Sequence, residues 1–115
     1  MYKTRYAQAR EDDWAERRTA ERQAFAHAIG LLELARDKGA GSREAVEAIV
    51  FVGRLWTFLL EDLARPENTL DPELRARLIS IGIWSLRECD RLRREETENL
   101  AGLIDVSRTL AEALA

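Results

Sequence analysis

A chain of 115 residues has room for one domain and is too short to divide into two that each bury a core. Its 46% hydrophobic and 34% charged residues exclude a disordered chain, and a net charge of -3 argues against the strongly basic footprint of a nucleic-acid binder. Cys89 stands alone, so no internal disulfide forms, no apolar run approaches the length of a membrane span, and Lys3 and Arg5 precede no signal-peptide core; the expectation is a soluble cytoplasmic protein without membrane insertion.

Taken in chain order, the spacing is helical throughout, with apolar residues three and four apart and no strand-like alternation. Tyr2, Tyr6 and Ala9 are spaced for a short extra N-terminal helix. The first main helix is predicted from an N-cap at Asp12 or Asp13 to Lys38, with Gly39 as its stop and a break near Thr19, before which Trp14 is the only large apolar residue. Its stripe is Phe25, Ala28, Ile29, Leu32 and Ala35. Ser42 caps a second helix ending near Ala64, before Pro66.

Asp71-Pro72 marks the third helix, an N-cap followed by proline at the first helical position. That helix runs to about Arg94, and Arg91, Arg93 and Arg94 face the negative end of its dipole. Thr97 caps the fourth, whose inner positions are Leu100, Leu103, Ile104, Ser107, Leu110, Ala111 and Leu114. Short connections favour antiparallel neighbours. The predicted fold is therefore all-α, a compact antiparallel bundle of about four main helices forming a single domain over residues 1–115.

Catalytic and cofactor chemistry finds no constellation to carry it. The one histidine, His27, lies on the flank of the first helix's stripe, and Cys89 falls in line with Leu78, Ile81, Ser85 and Leu92 as a small core residue. One Cys and one His make no zinc spacing, and no Glu-x-x-His pair or phosphate-cradling glycine loop occurs. The acids and arginines of Glu11 to Arg22 alternate as on a solvated face. The expectation is a protein that is not an enzyme and needs no cofactor, metal or small-molecule substrate.

Apolar residues on polar faces carry the functional signal. The second helix packs through Ile49, Val52, Trp56, Leu59, Leu60 and Leu63, opposite a polar stripe of Arg43, Glu47, Arg54, Glu61 and Arg65. Phe51 and Phe58 fall within that stripe, with Val50 at its edge. Either another helix of the bundle covers them or they form a groove for a partner's amphipathic helix. Trp84 poses the same alternative on the third helix, whose packed face is Leu74, Leu78, Ile81, Cys89 and Leu92. It sits among Arg77, Ser80, Arg87 and Arg91, the composition of an interface hot spot. Residues 71–94 hold six basic against four acidic groups, and Arg87, Arg91 and Arg94 are spaced to touch RNA phosphates. The candidate partner-binding set is Phe51, Arg54, Phe58, Trp84, Arg87 and Arg91.

The central segment Arg54-Leu55-Trp56-Thr57-Phe58-Leu59, then Pro66-Glu67-Asn68, then Leu70-Asp71-Pro72-Glu73-Leu74-Arg75 resembles the FlaF family of flagellar biosynthesis regulators. The opening Met1-Tyr2 with Tyr6 and the tail Leu103-Ile104-Asp105-Val106-Ser107-Arg108 are similar to the same family's ends. The resemblance implies a protein that promotes flagellin production and export, with flagellin itself as the bound partner, FlbT as a second one, and no catalytic residues or cofactors. Three readings follow: a flagellin-binding secretion chaperone and regulator, a post-transcriptional regulator acting through RNA or an RNA-binding partner, and a homodimeric helical scaffold burying Phe51, Phe58 and Trp84 across a two-fold axis.

Overall fold

The computed structural model describes the backbone of residues 2–114 and the side chains of residues 15–114. Four helices follow one another, α1 Tyr2–Lys38, α2 Arg43–Ala64, α3 Pro72–Arg93 and α4 Ala101–Ala113, and no strand occurs among the described residues. At 1.5 Å per residue the 37 residues of α1 measure about 55 Å, and the molecule's longest extent is 57 Å.

The turns form where the local chemistry puts them. Gly39 takes a φ of 103°, a left-handed conformation that glycine adopts without a Cβ penalty, and its N–H bonds the Ala35 carbonyl to close α1. Ser42 joins the two sides of this corner. Its oxygen accepts from the Ala45 N–H at 3.1 Å, capping α2, and its hydroxyl donates to the Gly39 carbonyl at 2.6 Å. At the next corner the Asp71 carboxylate accepts from the Leu74 N–H, with Pro72 in the first turn.

Paired residues show the helix directions. Arg17 bridges Asp62 and Phe25 packs edge-on against Trp56, so α1 and α2 run antiparallel. Gly82 lies on Trp56 and Leu60 while Arg75 reaches the Leu63 carbonyl, so α3 runs antiparallel to α2. α4 packs on α1, where Arg108 pairs with Glu33, and touches α3 only lightly. All four helices contribute to one core, with Trp56, Leu32, Leu103, Ile104 and Val52 enclosed at its centre.

Three details differ from the sequence expectation. Helix α1 is continuous from Tyr2 through Thr19, with no separate N-terminal helix and no cap at Asp12 or Asp13. Residues 7–24 are mostly Ala, Arg, Glu and Gln, strong helix formers with no Gly or Pro to interrupt them. The side chains of Tyr2, Tyr6 and Trp14 lie outside the described residues. Secondly, α4 begins at Ala101 and not at Thr97. Thr97 accepts from the Asn99 N–H at 3.2 Å, and Asn99 in turn accepts from the Ala101 N–H at 2.9 Å, so two side-chain turns delay the helix. Thirdly, Leu74 is exposed, because it sits in the first turn of α3 at the end of the bundle.

Candidate functional site

The outer faces of α2 and α3 form a groove of about 500 Å³. On α2, positions three and four apart bring Ile49, Val50, Gly53 and Thr57 along it, with the exposed Arg54, Phe58 and Glu61 at its edge. α3 supplies Leu86 and Cys89 from below and Asp90 and Arg93 on the opposite rim. Phe58 is 63% exposed, and Val46 and Val50 on the same side of α2 are exposed as well. Of these, Val50 and Phe58 line the groove and add exposed apolar surface to it.

The six residues singled out from sequence separate into four places. Arg54 and Phe58 line the groove. Phe51 does not: it is half-buried, packed on the core, and the His27 ring of α1 lies edge-on to it at 4.7 Å between centroids. An intramolecular neighbour therefore covers Phe51. Trp84 lies away from the groove, on the flank of α3 facing α4, where its ring edge rests against Gly102. It is 38% exposed, so one side is packed and the other wet.

Arg87 and Arg91 also lie outside the groove and exposed. Arg91 pairs with Glu88 at 2.6 Å, Arg93 pairs with Asp90, and Arg94 reaches the same Asp90 at 3.1 Å. The arginines at the end of α3 thus meet acids of their own helix, in exposed pairs that individually contribute little. Sequence reasoning gave no weight to Val46 or Ile83 as surface residues. The spacing of Val46 with Val50, one turn apart beside Arg43, Glu47 and Arg54, was the available signal.

Cys89 lies beneath the groove and is buried; desolvation first, and the Glu88 carboxylate second, push its thiol up to about 11. A thiol held protonated at neutral pH is a packing group and a poor nucleophile. Among the described residues no cluster of His, Cys, Asp and Glu could hold a metal ion, and no helix is long and apolar enough to cross a membrane.

The model of the family described as flagellar protein FlaF matches residues 2–114. The chain belongs to the FlaF family. Neither the curated proteins nor the solved structures compared with it include a match. The FlaF-like stretch from Arg54 to Arg75 accordingly divides into two kinds of residue. One kind packs or lines α2, with Arg54, Thr57, Phe58 and Glu61 at the groove and Leu55, Trp56 and Leu59 on the core; the other, from Pro66 on, builds the α2–α3 corner. The Asn68 amide donates to the Asp62 carbonyl at 3.3 Å and accepts from the Leu70 N–H at 3.1 Å. Arg75 donates to the carbonyls of Leu63 and Arg65, satisfying two of the oxygens that the end of α2 leaves without a helical partner. In this FlaF protein the Pro66-Glu67-Asn68 and Leu70-to-Arg75 segments tie the start of α3 to the end of α2.

Proposed function

We propose that this flagellar protein acts by binding and not by catalysis, holding an amphipathic segment of flagellin in the α2–α3 groove as a cytoplasmic chaperone and regulator of flagellin synthesis and export. The observation that carries this reading is the exposure of Phe58, with Val50, at the edge of an apolar groove in a FlaF-family chain. A subunit that assembles only after export carries segments unable to bury their apolar faces beforehand, and a groove of this kind covers such a face. FlbT is the second partner that the family reading names, and no observed surface assigns it a place.

The experiment is a titration of purified flagellin into the parent and into Phe58→Asp, with circular dichroism on both. Removing the aromatic ring and placing a charge at the edge of the groove is expected to weaken binding by about 2 kcal/mol or more while the helical signal holds. A folded Phe58→Asp protein that binds flagellin as tightly as the parent removes the groove from the interface. RNA binding that declines steeply with added salt would instead favour the arginines at the end of α3.

A further inference from the structure

The groove floor contains a glycine that its own fold does not require. Gly53 lies in the interior of α2, where only proline is less favourable to a helix. A Cβ built on it meets no neighbouring atom within 4 Å. Gly82 and Gly102 are different: a Cβ there would stand 2.7 Å from Leu60 and 2.8 Å from Trp84, so internal packing accounts for both. Gly53 opens onto the groove instead. One turn further on, the Thr57 hydroxyl donates to the Gly53 carbonyl at 2.8 Å, so the floor offers no unpaired side-chain donor at that point.

The walls also say what kind of chain fits. Both are helices whose mid-segment backbone groups are already paired, so an extended strand would find no backbone partners and an occupant must satisfy its own, as a helix does. Packed helices sit about 8–10 Å apart depending on the side chains between them, and a glycine permits the near end of that range. Arg54 and Glu61 rim the groove about 10 Å apart along the axis of α2, and neither has an ion-pair partner among the described residues.

We propose that Gly53 is the crossing point of a flagellin helix seated in this groove. That helix presents a small residue to Gly53, and on one flank an acid to Arg54 and a base, about two turns away, to Glu61. The inference rests on the flagellin-binding reading and adds the occupant's conformation, orientation and point of closest approach.

The test is a titration of purified flagellin into Gly53→Ala, Gly53→Leu, Arg54→Glu and Gly30→Ala proteins, with melting curves for each. Gly30 is an exposed glycine in α1, also with nothing within 4 Å of a Cβ, and serves as the control. Both alanine variants are expected to melt several degrees higher than the parent. Only Gly53→Ala is expected to bind flagellin more weakly, by tenfold or more, with Gly53→Leu abolishing the complex. Arg54→Glu is expected to weaken binding most at low salt, where an ion pair is least screened.

If Gly53→Leu binds like the parent while Phe58→Asp does not, the groove reading stands and the crossing point is overturned. If neither substitution changes binding, the groove reading itself falls. If the free protein sediments as a dimer that Gly53→Leu dissociates, the occupant is a second copy of the chain and the inference is overturned.

Discussion

The indole of Trp84 rests directly against the α-carbon of Gly102: a Cβ there would stand 2.8 Å from the ring's Cη2 and 3.2 Å from its Cζ2. α3 and α4 meet at few other points, so this contact holds a thin seam. Gly102→Ala is expected to destabilise the protein by about 1–3 kcal/mol through overpacking, read as a lower urea midpoint. Trp84→Ala in the same background removes the clash, and the two substitutions are expected to couple in a double-mutant cycle. Additive effects would show that the ring leaves Gly102 in solution.

Trp56 is 2% exposed, edge-on to Phe25 at 5.8 Å between centroids and in contact with the bare backbone at Gly82. Trp56→Ala is expected to lose about 3–5 kcal/mol, enough to unfold many domains of this size. An unchanged melting temperature would contradict its place at the centre of the core.

The ends of α3 allow opposite substitutions. Asp71→Ala removes the side-chain acceptor for the Leu74 N–H and is expected to lower stability by roughly 1 kcal/mol while flagellin affinity holds. At the other end the Glu95 N–H bonds the Leu92 carbonyl and the Glu96 N–H bonds the Arg91 carbonyl, with Glu95 at a φ of 61°. That arrangement favours glycine at the left-handed position. Glu95→Gly is therefore expected to gain up to about 1 kcal/mol, measured by urea unfolding, and a loss would mean that the corner relaxes without a left-handed residue.

What the sequence showed and what it concealed divides along the same physical line. Ser42, Gly39 and Asp71 were readable because each turn's chemistry is complete within four residues. Thr97 misled because Asn99, two residues on, takes over the helix start through its own amide. Helical periodicity placed Trp56 correctly, since the strongest stripe of α2 has to face the core. It could not place Phe51 or Trp84, because a wheel drawn for one helix is blind to His27 and Gly102, which belong to others. Phe58 remained on the polar face in the fold as on the wheel, and the concavity beside it depends on α3, which no single segment reveals.

Glu21 gives the protein a pH dependence of definite sign. Its carboxyl is half-buried between α1 and α2, and desolvation raises its pKa above the ordinary 4.5; the Arg17 guanidinium counteracts this and the Asp62 carboxylate reinforces it. A carboxyl whose folded pKa lies above its unfolded one binds more protons when folded, so its contribution declines as pH rises. The contribution is present in full below the unfolded value and is lost as pH rises through the folded one. Glu21→Gln keeps the shape and removes the titration, so urea midpoints of the two proteins compared from pH 4 to 7 isolate the effect from groups they share. The parent is expected to lose ground against Glu21→Gln as pH rises through this interval, modestly because water still screens half of the side chain. A gap that stays constant would show that Arg17 offsets burial at this site, and one that moves in the parent's favour that it outweighs burial.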